Sequence, residues 1–117
     1  MKKLFLVAAV IFCFVLTANA QQVLTGSWYV DKDTPGYTLD KNVGDRSVDV
    51  EVVFTKPFSS KPEVALSVSL IDEVDPTQMR YQVSAKSVSR DGFTVQVKVW
   101  SETKLNALGG FWVAVQQ

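Results

Sequence analysis

The residues of this chain that could recognise a ligand are an arginine and a tryptophan at the ends of two neighbouring predicted strands. From Phe93 to Trp100, apolar and polar side chains alternate, which is typical of a strand with one buried face. Trp100 falls on the otherwise polar face, where a large indole needs a partner, and Arg80 begins the preceding strand. A guanidinium beside an indole can hold a sugar, because arginine hydrogen-bonds the hydroxyls while the ring stacks on the apolar C–H face.

A predicted hairpin brings this pair to one place. Ser89–Gly92 has the composition of a tight turn between the two strands. Counting outward from the turn pairs Arg80 with Ser101, so Arg80 and Trp100 are expected at the same end of the hairpin. Asp45 is the candidate carboxylate that would orient the arginine. The alternative interpretation is that Trp100 packs in an interface with another protomer or against its own sheet, with Arg80 as a surface charge.

The elements that position these residues are predicted to be strands. Runs of β-branched and aromatic residues with period two are separated by prolines, glycines and polar turns. They cover residues 48–54, 64–70, 80–86, 93–99 and 111–115, with an earlier short strand around residues 27–30. Residues 31–45 are expected to form an irregular surface segment. This spacing predicts an all-β fold, a single antiparallel β-sandwich of five or six strands.

The N-terminus has the layout of a secretory signal peptide. A basic start at residues 1–3 precedes an apolar run over residues 4–16, and small residues occupy Ala18 and Ala20. The run is too short for a membrane span, and Cys13 lacks the small preceding residue of a lipoprotein signal. We expect cleavage after Ala20, secretion of the mature chain to the extracellular side, and no membrane insertion.

The composition after residue 20 argues against several classes of function. Residues 21–117 contain no histidine or cysteine, and ten basic residues against twelve acidic ones give a net charge of −2. This charge does not favour nucleic acid or anionic lipid. The usual nucleophile–base pairs and transition-metal sites cannot be built, so no enzyme, metal or cofactor is expected. Asp72, Glu73 and Asp75 lack the ligand spacing and glycine of a calcium loop and are interpreted as a solvated turn.

Several short segments, in this order and spacing, together resemble the H-type lectin domain family of snail agglutinins and the discoidin C-terminal domain. They are residues 54–58, 61–64, 80, 87–89, 92–93, 99–100, 103–104 and 112–115. The resemblance covers about residues 46–115. It implies a six-stranded antiparallel β-sandwich over residues 46–117, preceded by an N-terminal strand and loop at 21–45. It also implies a homotrimer that binds galactose or N-acetylgalactosamine without calcium.

The resemblance also implies roles for individual residues. The sugar would lie in a cleft between protomers and contact an arginine and a tryptophan at the positions of Arg80 and Trp100. The next residue, a histidine in the snail agglutinin, is Ser101, which can hydrogen-bond but offers no ring. The family's carboxylate comes from the loop before the first long strand. There the aligned position is a valine, and Asp45 or Asp40 is expected to substitute.

Within that loop, Gly44 is expected to allow close backbone approach to the ligand.

Two functions stay open from the sequence. The first is a secreted, multivalent lectin for galactose-type glycans that acts in cell adhesion. The second is a non-catalytic secreted assembly or protein-interaction module without sugar binding, which Ser101 and the displaced carboxylate favour.

Overall fold

A computed structural model describes residues 21–117. The predicted signal peptide, residues 1–20, lies outside the described residues. The chain forms seven strands: β1 (Val23–Asp31), β2 (Arg46–Val53), β3 (Glu63–Leu66), β4 (Leu70–Glu73), β5 (Tyr81–Lys86), β6 (Gly92–Val99) and β7 (Leu105–Val115). Within residues 21–117, no helix has the length and hydropathy to cross a bilayer.

The strands form two antiparallel sheets. In the first sheet, β7 lies between β1 on one side and β3 and β4 on the other. In the second sheet, β6 lies between β2 and β5. β3 and β4 follow one another along the same edge of β7, since the amides of Ser67 and Ser69 donate to the carbonyls of Phe111 and Gly109 at 2.9 and 2.8 Å. Counted as one interrupted strand, they give six strands, so the predicted all-β antiparallel sandwich is confirmed.

The core forms from the inward faces of both sheets. Along β6 every second residue is buried and apolar, as its alternation predicts. Aromatic side chains close one end of the core: the ring centroids of Phe54 and Phe58 lie 5.0 Å apart, and those of Phe93 and Trp112 lie 5.5 Å apart, both edge-on. Such pairs each add about 0.5–1.5 kcal/mol beyond the area they bury.

The strand predicted over residues 64–70 is interrupted. Leu66 lies opposite Trp112, but Leu70 lies opposite Gly109, so one extra residue stands on the outer strand. A bulge of this kind reverses the faces of the residues beyond it. Leu70, predicted to share the apolar face, is therefore exposed, and Ile71 packs against the core instead.

A second irregularity lies in the β5–β6 hairpin. The predicted turn is present, since the amide of Ser89 donates to the carbonyl of Gly92 at 2.9 Å. The ladder, however, pairs Lys86 with Thr94, which leaves one extra residue on the β5 side of the turn. Ser87 there has a left-handed φ of 52°. This is a bulge. Every residue pair beyond it differs by one residue from the pairing obtained by counting outward from the turn.

The segment between β1 and β2 is irregular, as predicted, but it is not confined to the surface. Tyr37 and Leu39 are buried in the core. The Tyr37 hydroxyl donates to the carbonyl of Leu105, and the Leu105 amide donates to the carbonyl of Leu39 at 2.8 Å. The segment is thereby fixed to the start of β7. β1 itself is longer than predicted, with Trp28 and Val30 in the core.

Tyr37 gives a test of this anchoring. Replacing it with phenylalanine leaves the Leu105 carbonyl without its donor, which should cost about 1 kcal/mol of unfolding free energy at pH 7. Burial, reinforced by the charges of Asp40 and Asp31, raises the pKa of Tyr37 above its ordinary value. As the pH rises, the unfolded chain therefore loses the Tyr37 hydroxyl proton at a lower pH than the folded chain does. The stability that this hydroxyl contributes declines above about pH 10.

Chemical denaturation of wild type and Tyr37→Phe at pH 7 and about pH 10.5 checks this. The gap between the two proteins should narrow at the higher pH. Tyr29→Phe, at an exposed tyrosine, is the control and should change stability little at pH 7. A gap that stays constant or widens with pH would contradict the assignment.

Candidate functional site

The bulge in β5 decides where the arginine and the tryptophan meet. Tyr81 lies opposite Val99, and the Trp100 amide donates to the Arg80 carbonyl at 3.3 Å. Arg80 and Trp100 are therefore directly opposite one another, one step past the ends of their strands, and residues directly opposite share a face. The predicted pairing of Arg80 with Ser101 is wrong by one residue, because the count from the turn omits the bulge.

The other side of Trp100 faces the start of β2. Arg46 lies opposite the last residue of β6, and the Gly44 amide donates to the Ser101 carbonyl at 2.8 Å. Asp45 lies between Gly44 and Arg46 in the chain, and Trp100 lies between Val99 and Ser101. Asp45 and Trp100 are therefore opposite one another. This location fits the expectation that Asp45 lies near the candidate site.

Asp45, Trp100 and Arg80 thus form one row across three strands, here called the site row. It lies at one end of the second sheet, on the face turned away from the core. The Asp45 side chain is 76% exposed, Arg80 is exposed and Trp100 is partly buried. The backbone register therefore places a carboxylate residue, an aromatic residue and a guanidinium residue next to one another, with the two charged ones exposed.

The second candidate acid is placed differently. Asp40 follows Leu39, whose carbonyl is bonded to Leu105 at the start of β7. It therefore belongs to the anchored part of the loop that contacts the first sheet. The register brings Asp45, and not Asp40, beside Trp100.

Gly44 and Ser101 contribute backbone hydrogen bonds beside the site row. Gly44 has a φ of 85° and Ser101 a φ of 60°, both in the left-handed region. A Cβ added to Gly44 would meet no atom within 4 Å, so the backbone conformation, and not crowding, favours glycine there. The carbonyl of Ser101 accepts hydrogen bonds from both the Gly44 amide and the Arg46 guanidinium, at 2.8 and 3.0 Å.

Arg46 is a residue of the site that the sequence reasoning missed. Its side chain is buried, and its guanidinium donates to the carbonyls of Gly44, Lys41 and Ser101 at 2.9, 3.0 and 3.0 Å. A signal for it was present, because Arg46 has the same parity as the core-facing Val48 and therefore occupies an inward position. An arginine in phase with a core stripe marks a buried guanidinium that must find acceptors.

A shallow hollow of about 230 Å³ adjoins the site row. It is lined by Asp45, Arg46, Ser47, Gln96 and Lys98. The Lys98 ammonium lies 3.9 Å from the Asp45 carboxylate, and exposed ion pairs of this length contribute little. The hollow is smaller than the roughly 300–1,000 Å³ of drug-sized sites, so it fits a small polar ligand.

The loop after β4 offers no comparable arrangement. Asp72 and Glu73 end that strand, and the amide of Val74 bonds to the carbonyl of Lys104 at 3.0 Å. Across residues 21–117, no group of three or more histidine, cysteine or acidic side chains is placed to hold a metal ion.

Solved structures with the same architecture include discoidin II of Dictyostelium discoideum. It superposes with a TM-score of 0.74 at 24% identity, over 84% of this chain and 38% of that one. The tailspike gp61 of Pseudomonas phage phi297 gives a TM-score of 0.55 at 13% identity, over 83% of this chain and 16% of that one. At these identities the likeness shows the fold alone.

Two curated proteins are related in sequence. The chain is 28% identical over 72 residues to "ATP synthase subunits region ORF 7" of Fuscovulum blasticum, covering 62% of this chain and 63% of that protein. It is 34% identical over 77 residues to discoidin-1 of Dictyostelium discoideum, covering 65% of this chain and 30% of that protein. The chain therefore spans less than two thirds of either relative.

The model of the H-type lectin domain, a carbohydrate-binding class, matches residues 49–115, which is more than half of the chain. The match includes Arg80, Trp100 and Ser101, while Asp45 and Gly44 lie just before its start. The chain belongs to the H-type lectin domain family.

Proposed function

We propose that this chain binds glycans ending in galactose or N-acetylgalactosamine, without calcium, as a secreted homotrimer. The observation that carries the proposal is the site row. Within it, Arg80 and Asp45 lie opposite Trp100 on the two strands that neighbour β6, at positions that face away from the core.

The three side chains have complementary roles toward a pyranose. The indole offers an apolar plate for the C–H face of the ring. The Arg80 guanidinium donates to ring hydroxyls, while the Asp45 carboxylate accepts from them. Charge-assisted hydrogen bonds of this kind are about twice as strong as neutral ones. Since the side chains supply both donors and acceptors, recognition needs no metal ion.

Multivalency compensates for a shallow site. A single open row excludes little water, so each site is expected to bind weakly, and several sites on one assembly raise the apparent affinity. The outward face of the first sheet supports association, because Phe111, Val23 and Tyr29 are all more than half exposed there. These residues lie along the paired strands β1 and β7, and exposed apolar surface can mark a contact with another protein. Secretion is supported by the signal-peptide pattern.

The same apolar face favours the second candidate function, an assembly module without sugar binding. A glycan array at neutral pH, with and without chelator, separates the two. Binding confined to galactose- and N-acetylgalactosamine-terminated glycans, and unchanged by the chelator, supports the lectin. Silence across these glycans supports the module.

Substitutions in the site row test which residues carry recognition. Trp100→Ala removes the stacking plate and should abolish detectable glycan binding. Arg80→Lys keeps the charge but loses the planar fork, and should weaken binding about tenfold. Titration calorimetry with a galactoside measures both, and light scattering must show an unchanged oligomer. Loss of the oligomer in Trp100→Ala would instead assign the indole a structural role.

Two variants of Ser101 test whether its backbone or its hydroxyl contributes to glycan affinity. Ser101→Gly keeps the carbonyl and suits the left-handed φ of 60°, so structure and glycan affinity should be preserved within about twofold. Ser101→Ala also lacks the hydroxyl but keeps a Cβ at that strained φ, and should lower the melting temperature relative to the glycine variant. A loss of affinity shared by both variants, with unchanged stability, would show that the hydroxyl contacts the sugar.

The face used for association has its own test. Phe111→Ser removes an apolar side chain that is 59% exposed, and should shift the trimer toward monomer in light scattering at low micromolar concentration. Val53→Ser is the matched control, since this valine is 79% exposed but lies on the other sheet. Equal behaviour of the two variants would contradict association through the first sheet.

A further inference from the structure

Arg46 connects the two loops that carry Asp45 and Trp100 of the site row. Its Nε donates to the carbonyl of Gly44, its Nη1 to that of Lys41 and its Nη2 to that of Ser101, at 2.9, 3.0 and 3.0 Å. Gly44 and Lys41 belong to the loop before β2, and Ser101 belongs to the turn after β6. One planar guanidinium therefore bridges both segments, which a single-centred ammonium could not do.

This arrangement is unusual in energetic terms. Arg46 is only 8% exposed, and the one ion pair found among residues 21–117 joins Lys98 to Asp45. A buried cation that is hydrogen-bonded to carbonyl groups, and not paired with a carboxylate, stabilises a fold less than a well-packed apolar side chain would. The position continues the inward stripe that contains Val48, so an apolar residue would suit the core. The guanidinium therefore needs an explanation besides stability.

The guanidinium of Arg46 holds the backbone around Asp45 in place. Asp45 stands between Gly44 and Arg46 in the chain, and both residues are bonded to the carbonyl of Ser101. The Asp45 side chain itself is 76% exposed, and its one polar contact within residues 21–117 is the 3.9 Å ion pair with Lys98. The position of its carboxylate therefore depends on the backbone around it.

We propose that Arg46 is a positioning residue of the sugar site: it fixes Asp45 beside Trp100 through the backbone of both loops. This inference rests on the proposed function. It predicts that glycan affinity depends on a guanidinium that is buried beneath the site and acts through Asp45.

The test compares Arg46→Lys with Arg90→Lys. Arg90 also donates from Nε to a carbonyl, that of Phe58 at 2.9 Å, but it lies in the turn at the opposite end of β6. Loss of two bridging bonds in Arg46→Lys should weaken galactoside binding about tenfold, whereas Arg90→Lys should stay within about twofold of wild type. If Arg46→Lys does not fold, Arg46→Gln, which removes the buried charge and keeps an amide donor, takes its place.

A double-mutant cycle separates positioning from general damage. In the Asp45→Ala background, Arg46→Lys should cost less than about twofold in affinity, because the group it positions is gone. A tenfold loss in that background would mean that Arg46 acts on the whole fold and would overturn the proposal. Wild-type affinity in Arg46→Lys alone would also overturn it.

Hydrogen exchange at the Gly44 amide gives a readout without sugar. This amide is bonded to the Ser101 carbonyl, so Arg46→Lys should speed its exchange about tenfold while Arg90→Lys leaves it unchanged. Unchanged exchange in Arg46→Lys would overturn the bridge itself. If no glycan binds wild type but exchange accelerates in Arg46→Lys, the proposed function and the role toward sugar fail, whereas the bridge between the loops is supported.

Discussion

The pairing of β6 with its two neighbours is the constraint on which the site depends. β6 is the central strand of the second sheet, and its last residue is paired on both sides. Since directly opposite residues share a face, the residue that follows β6 is brought into line with the residues flanking β2 and β5. Trp100 thereby acquires Asp45 on one side and Arg80 on the other. A slip of one residue in either ladder would move a partner to the opposite face.

In our proposal, the rim of the sandwich combines a recognition surface with the buried Arg46 that supports it. The side chains that meet the ligand in our proposal are largely exposed, and such groups are ordered by their backbone more than by contacts of their own. Arg46 supplies that order from beneath, through carbonyls of both loops. Three hydrogen bonds to carbonyl acceptors compensate part of the cost of burying this cation. Recognition and support thus use two arginines in different ways, Arg80 toward solvent and Arg46 toward the core.

The outer face of each sheet has a separate part in our proposal. The second sheet presents polar and charged side chains beside the site row, such as Ser47 and Lys98. The first sheet presents Phe111, Val23 and Tyr29. In our proposal, the site row binds the glycan and the first sheet forms the contacts between protomers. Under that proposal, assembly through the first sheet multiplies the sites and raises the apparent affinity of a weak site.

The all-β class, the hairpin turn at Ser89–Gly92 and the inward stripe of β6 could be predicted from the amino-acid sequence, because they follow from local period and turn chemistry. Arg80 and Trp100 could likewise be identified as a pair at one end of the hairpin. The sequence carries one sign of the bulge at Ser87, because the apolar residues of β5 occupy odd positions up to Ala85 whereas Val88 is even. One residue does not determine where a bulge lies, so the register of the pair could not be predicted.

The same reason explains why Leu70 is exposed and Ile71 is not: a bulge depends on the partner strand, and the partner is distant in sequence. The choice of Asp45 over Asp40, the burial of Tyr37 and the carbonyls that Arg46 finds are likewise set by segments that meet only in the folded chain. Periodicity reports which face a residue occupies, but contacts between loops depend on the path of the backbone.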